Sequence, residues 1–302
     1  MFSSTSGASK LSIIVVIVLI LLKVVAGAIT GSLSILAQAA DSFFDLFAVV
    51  VTFLAIRIAT RPADEQHPFG HGKAENIAAT VQAILIFLAG SSIIFAAVLR
   101  IQTGTTLELT ETGMGVMLVS IIASILLSRH LLRVAKSTDS LAMQANARNI
   151  AADVYSAAAV LAGLLLVRFT GLSIIDPILA ILVALFIFKV GYDVLRNSFG
   201  GLVDVKLPET EENTVKLAIT EHFGEEVVNF HKLRTRKAGS QRYIDLHLIM
   251  PKDTSLEEAH RLCDHLEEDM ENKLSRTDVT IHVEPCDENC NWCAFTCERR
   301  KE

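Results

Sequence analysis

The chain has 302 residues, 51% of them hydrophobic and 20% charged, with a mean hydropathy of +0.46 and a formal net charge of −6. The average hides a split: residues 1–204 hold 25 charged side chains with a net of +1, and residues 205–302 hold 35 with a net of −7. That division excludes a purely soluble enzyme, a disordered chain and a disulfide-stapled secreted module, and the acidic end argues against a nucleic-acid partner.

A membrane helix needs about 20 mostly apolar residues, because roughly 30 Å of hydrocarbon must be crossed. Six stretches qualify, near residues 11–29, 33–56, 76–99, 112–135, 145–167 and 172–195. Gly27-Ala-Ile-Thr-Gly31 is short enough to join the first two as an antiparallel hairpin. An even number of crossings puts both termini on one side. One set of ends carries Lys10, Arg57, Arg61, Lys73, Arg129, Arg133, Lys136, Arg148 and Arg196; the opposite loops carry Arg100 and Arg168 beside Glu108, Glu111 and Asp176. Basic loops stay cytoplasmic, so both termini are expected on the cytosolic side of the inner (plasma) membrane. The run from Lys10 to Ala26-Gly-Ala28 has the outline of a cleavable signal peptide. Lys23 interrupts it and its removal would reverse the charge bias, so a retained helix is expected.

Residues 205–285 read as a small α/β domain of order α-β-β-α-β. Pro208 opens an amphipathic helix with Val215, Leu217, Ile219 and Phe223 as its apolar positions. Strands are predicted over 227–236 and 242–250, linked by the turn residues Lys237-Ala-Gly-Ser240. A helix over 256–274 is announced by Thr254-Ser-Leu-Glu257, a capping-box pattern, and a last strand covers 279–283. The order suits a three-stranded sheet with two helices on one face. About 80 residues make a marginal core, which a partner copy or a bound metal would support. Residues 286–302 form a separate Cys-rich tail.

The decisive side chains are ionisable groups inside apolar spans. Asp41 and Asp45 lie in the second span, Asn149 and Asp153 in the fifth, and each pair is spaced i, i+4 on one helix face. A lone carboxylate at mid-bilayer costs several kcal/mol or becomes neutral. Three of them near one amide are best reconciled by a shared divalent cation. Helix ends at the interface, or polar glue between helices, are the plainer alternatives.

Three further clusters carry metal-ligand chemistry. Asp64, His67 and His71 lie in the loop between spans two and three, where Pro68 and Gly70 allow a tight fold; a solvated loop with two incidental histidines is the rival reading. His231, His247, His260, His282 and Glu284 lie in the soluble domain, with His282 and Glu284 on one face of the last strand by alternation. Cys286, Cys290, Cys293 and Cys297 have the spacing of a stripe on one helix, and in a reducing cytosol they suggest thiolate metal ligands or redox chemistry. Cys263 reads as a core residue.

The chain resembles the cation diffusion facilitator (cation-efflux) family, close to its bacterial zinc and iron efflux proteins, over roughly residues 10–286. The carriers are Gly31-Ser-Leu-Ser-Ile-Leu-Ala37 leading to Asp41 and Asp45, Pro62-Ala-Asp64, His67-Pro-Phe-Gly-His-Gly-Lys-Ala-Glu75, Leu233-Arg-Thr-Arg236 and Ile281-His-Val-Glu-Pro285. The resemblance implies six transmembrane helices and a metallochaperone-like cytoplasmic domain. It also implies a homodimeric secondary active transporter, not an enzyme, exchanging a cytosolic divalent metal for protons. Asp41, Asp45, Asn149 and Asp153 would form the transport site, and Asp64, His67 and His71 a loop site. His231, His247, His260, His282 and Glu284 would form a cytoplasmic site steadying the dimer, and Lys73 and Asp204 match positions of intersubunit ion pairs. Asn149 departs from the pattern, since close relatives usually carry histidine there. An all-oxygen site suits Mn²⁺ or Fe²⁺ better than Zn²⁺, Cd²⁺ or Co²⁺, which oxygen ligands also accept. The rival from another class is a non-transporting metal-sensing membrane scaffold. An intramembrane aspartyl protease is set aside, because no Gly-x-Gly-Asp occurs.

Overall fold

The structure, a computed structural model, describes residues 4–30, 33–103, 111–170, 172, 174–222 and 227–286. The chain divides into two units, residues 1–202 and 203–302. Six long helices make the first: α1 (Thr5–Thr30), α2 (Leu33–Ala59), α3 (Lys73–Thr103), α4 (Glu111–Thr138), α5 (Leu141–Thr170) and α6 (Ile175–Leu202). Five predicted spans fall inside these helices. The sixth starts three residues later than expected, at Ile175, which puts Pro177 in the first turn, where its missing N–H has no helical partner to lose.

Large apolar side chains on the outside of the bundle show what solvent it expects. Val18, Leu21, Val25 and Ile29 on α1, and Leu88 and Phe95 on α3, are exposed, an arrangement that suits hydrocarbon and not water. Among the described residues, Thr5–Ile29, Ser42–Ala59, Lys73–Thr103, Met114–Thr138 and Pro177–Leu202 are long and apolar enough to cross a bilayer. α5 is the more polar exception, with Arg148, Asn149 and Asp153 in its first half. It packs against α2, α3, α4 and α6, and a helix with four neighbours can carry polar groups that a lipid-facing one cannot.

Buried polar side chains and close packing fix the helices against each other. Gln82 Nε2 donates to Ala48 O at 2.7 Å and to Thr52 Oγ1 at 2.9 Å, tying α3 to α2. Asn76 Nδ2 donates to Ser198 O at 3.0 Å, tying α3 to α6. Gly191 lets α3 and α6 close up: a Cβ there would lie 3.1 Å from Ile86 Cγ2.

The second unit contains α7 (Glu209–Thr220), β1 (Asn229–Ala238), β2 (Gln241–Met250), α8 (Leu256–Lys273) and β3 (Thr277–Pro285). The sheet order is β1-β2-β3, antiparallel between β1 and β2 and parallel between β2 and β3. Ile244, Leu246, Leu248 and Met250 of β2 form one core with Val215, Ala218 and Ile219 of α7 and Ala259, Leu262, Leu266 and Met270 of α8. Both helices therefore cover one face, as the element order predicts, and the odd-numbered face of β2, free of helices, leaves Asp245 and His247 half-buried. Gly239, at φ 61°, supplies the left-handed residue of the β1–β2 turn.

Two local expectations are corrected. Leu217 is 61% exposed, because at about 100° per residue it points some 200° away from Val215; Ala218 takes its place in the core. Phe223 lies outside the described residues. The capping box is one residue later than expected: Ser255 is the N-cap, its side chain accepting from Glu258 N at 3.2 Å, while Glu258 Oε2 accepts from Ser255 N at 3.0 Å.

Candidate metal centres

In the membrane unit the site depends on how α5 is held. Asp139, at φ 53°, breaks the chain out of α4. Ser140 then caps α5, its Oγ accepting from Met143 N at 3.3 Å. Glu75 of α3 is 3% exposed, and its Oε2 accepts from Ser140 Oγ at 2.8 Å and from Ala142 N at 3.4 Å. A carboxylate thus stands at the positive end of α5, fixing the helix that carries Asn149 and Asp153.

Asp45 of α2 and Asp153 of α5 line one cavity of about 80 Å³, with Lys23, Ser42, Ser120 and Ser124 among its other polar walls. Lys23 Nζ donates to Ser42 Oγ at 2.7 Å. Asn149, one turn before Asp153, is 6% exposed. Asp41 lies on α2 one turn before Asp45; its side chain is outside the described residues. The second and fifth helices therefore meet at a shared cavity whose polar groups stand among apolar walls such as Leu19, Met117 and Ile150, and the donors described there are oxygens apart from the Lys23 amine.

The loop residues converge. His67 Nδ1 lies 3.0 Å from Asp64 Oδ1, His71 Nε2 lies 3.4 Å from Asp64 Oδ2, and the two rings are 4.4 Å apart. Gly70, at φ 74°, turns the chain between them. The backbone N–H of His67, 2.7 Å from Asp64 Oδ1, and the His67 ring together hold the Asp64 carboxyl below the usual range. One oxygen and one nitrogen from each ring lie within 4.8 Å of one another. The fold that Pro68 and Gly70 allow is formed.

The open face of the sheet gathers the third cluster. His231, His247 and His282 are direct cross-strand partners on β1, β2 and β3, with ring centroids 5.2 Å and 4.7 Å apart. Glu284 reaches across: its Oε2 lies 3.1 Å from His231 Nε2, its Oε1 2.6 Å from His247 Nδ1 and 3.8 Å from His282 Nε2. The contact with His247 lowers the Glu284 carboxyl below its ordinary range. His231 Nε2 is shut off from solvent and makes no aligned hydrogen bond among the described residues. An imidazole nitrogen facing a carboxylate across 3.1 Å without a hydrogen bond between them is a donor set that fits a cation.

His231 reaches this face because β1 is irregular. A register shift falls between His231 and Arg234, with Lys232 at φ 50°. Phe230 and Leu233 both pack toward the core; in a regular strand Leu233 would share the face of His231. The inserted residue keeps the histidine outward and the leucine inward.

Other predicted residues are elsewhere. Within one subunit His260 does not join the cluster: it sits on α8, on the covered side of the sheet, exposed and 3.4 Å from Asp264. Cys286 is half-buried at the end of β3, while Cys290, Cys293 and Cys297 lie outside the described residues. Cys263 is a core residue, as read, and burial pushes its thiol up to about 11. Lys73 Nζ lies 3.5 Å from Leu202 O, and Asp204, at φ 55°, pairs with Arg236 at 3.4 Å. Sequence reasoning passed over Ser140 and the capping role of Glu75. A serine immediately before the fifth apolar run is the signal for the cap; nothing local announces its carboxylate partner 65 residues away. It also missed a group formed by His222, His265 and Asp269, of which only the i, i+4 spacing of His265 and Asp269 is visible in the sequence.

A bundle of apolar helices enclosing paired carboxylates, in one chain with an α/β domain whose open face gathers histidines, defines a multi-pass membrane protein equipped to bind metal cations. The chain belongs to the cation efflux family: residues 9–203 match the cation efflux transmembrane domain and residues 207–286 the cation efflux protein cytoplasmic domain. It is 34% identical over 275 residues to the cation-efflux pump FieF of Pectobacterium atrosepticum, covering 90% of this chain and 89% of the relative. It is 33% identical over 278 residues to the cation-efflux pump FieF of Shewanella oneidensis, covering 92% and 93%. A solved structure, the metal-bound C-terminal domain of the CzcD transporter from Thermotoga maritima, shares 30% identity, covers 26% of this chain and 94% of its own, and has a TM-score of 0.24. The protein is a cation efflux transporter, and the match of its cytoplasmic part to a dimer-forming domain indicates a homodimer.

Proposed function

We propose that this transporter exports a divalent metal from the cytosol in exchange for protons, with Mn²⁺ or Fe²⁺ as the favoured cargo and Zn²⁺, Cd²⁺ or Co²⁺ as weaker ones. The observation that carries the reading is the single cavity lined by Asp45 and Asp153 from two different helices. Asp41 and Asn149, one turn away on each helix, complete the ligand set. Both termini face the cytosol of an inner-membrane protein, following the basic-loop bias. Metal ligands must be deprotonated to bind, so an arriving cation displaces protons from Asp41, Asp45 and Asp153. Once the helices rock to open the site outward, external protons compete the metal off. Asn149 brings no titrating imidazole, so the carboxylates alone carry the protons.

The loop group Asp64, His67 and His71 holds metal near the membrane face. His231, His247, His282 and Glu284 hold metal in the cytoplasmic domain and, with His260 supplied across the dimer, steady the pair of subunits. Lys73 and Asp204 form an intersubunit ion pair. In proteoliposomes, Asp45→Ala and Asp153→Ala are each expected to abolish metal-driven proton flux; full flux in either variant removes the transport-site assignment.

A further inference from the structure

We propose that His222, His265 and Asp269 form an additional metal site, on the helical side of the cytoplasmic domain, taking a borderline divalent ion such as Zn²⁺ or Co²⁺. The three side chains come from two elements whose positions are fixed without any ion. The backbone N–H of His222 donates to Ile219 O at 3.1 Å, holding the histidine in the turn that closes α7. His265 and Asp269 stand one turn apart on α8, whose adjoining side buries Leu262, Leu266 and Met270 in the core. Lys273 Nζ meets Glu221 Oε2 at 2.7 Å beside the cluster, binding the end of α7 to α8. The scaffold is set before a ligand arrives.

The geometry is close to that of a bound ion. His222 Nε2 lies 3.5 Å from Asp269 Oδ2, and the rings of His222 and His265 meet edge to face with centroids 5.2 Å apart. One ligand atom from each of the three residues lies within 4.8 Å of the others. Two ligands held at about 2.1 Å on a tetrahedral ion stand about 3.4 Å apart. One pair already has that spacing, and the others, within 4.8 Å, have at most about 1.4 Å to close. The partial exposure of His222 and Asp269, at 17% and 30% of their side chains, leaves room for water as a fourth ligand. A single carboxylate with two neutral imidazoles suits a 2+ charge, and imidazoles favour Zn²⁺ and Co²⁺ over Mn²⁺. This site and the His231–His247–Glu284 group lie on opposite sides of the sheet, so they bind separate ions.

The test counts Zn²⁺. Purified full-length protein is dialysed to equilibrium against buffered Zn²⁺ with a tenfold excess of Mn²⁺, and bound zinc per chain is measured by mass spectrometry. His265→Gln is expected to bind one Zn²⁺ fewer per chain than wild type, Asp269→Asn to show the same loss, and His265→Cys, which restores a ligand, to recover the ion. His265 is exposed, so these changes leave the core untouched. A zinc count in His265→Gln equal to wild type, or failure of His265→Cys to recover the ion, would overturn the proposal.

Discussion

The membrane cavity and the cytoplasmic sheet offer cations different surroundings. In the cavity, Asp45 and Asp153 sit on helices each tied to α3, one by the buried Gln82 amide and the other by the Glu75 carboxylate at the start of α5. On the sheet, three histidines and Glu284 stand in a partly exposed row across three strands. A cavity whose donors are oxygens apart from one amine discriminates weakly among divalent ions. An imidazole row selects borderline metals and retains them. On the proposed function, the first surroundings serve passage and the second retention.

The comparison breaks most sharply at Glu284. Glu284→Gln is expected to weaken cytoplasmic metal binding about 100-fold, near 2.7 kcal/mol, while transport at saturating metal persists; titration calorimetry and flux assays on the same preparation check both halves. A smaller change is expected at Asn149. Asn149→His should raise Zn²⁺ transport against Mn²⁺ about tenfold, near 1.4 kcal/mol, in competition assays, and an unchanged order would refute the donor-hardness argument. Glu75→Ala removes support from the α5 cap and should cost about 1 kcal/mol, seen as a lower Tm in detergent.

The smallest effect separates ordinary charge pairing from metal binding. Lys206 and Lys216, 2.8 Å and 2.9 Å from Glu212, hold its carboxyl below the ordinary range. A lowered folded value adds stability above the ordinary glutamate range and loses it as pH falls through the folded value. Protection of α7 amides from hydrogen exchange should therefore exceed that of Glu212→Gln at pH 7, by about 0.5 kcal/mol, and the gap should vanish in acid whether or not metal is present.

Most of the architecture could be read from hydropathy, because spans and strands are set by repeated apolar positions that need no partner. The loop histidines were legible too, since Pro68 and Gly70 mark the turn that gathers them. What escaped depended on contacts distant in sequence. Glu75 meets Ser140 across 65 positions, and His222 meets α8 only once both helices lie on the sheet. Local phase errors explain the rest. Leu217 follows a two-residue alternation that a helix does not keep, and Thr254 and Ser255, one residue apart, are both competent caps.

The extra residue in β1 makes the sheet site depend on backbone conformation as well as on ligand identity. Deleting Lys232 would leave Phe230, His231 and Leu233 in plain alternation with the imidazole still outward, whereas straightening the strand around a retained Lys232, with Leu233 held in the core, would turn His231 inward and dissolve the meeting point of the ligands. At that position a β-branched residue, which resists the left-handed backbone, is more damaging than most exchanges of side chain.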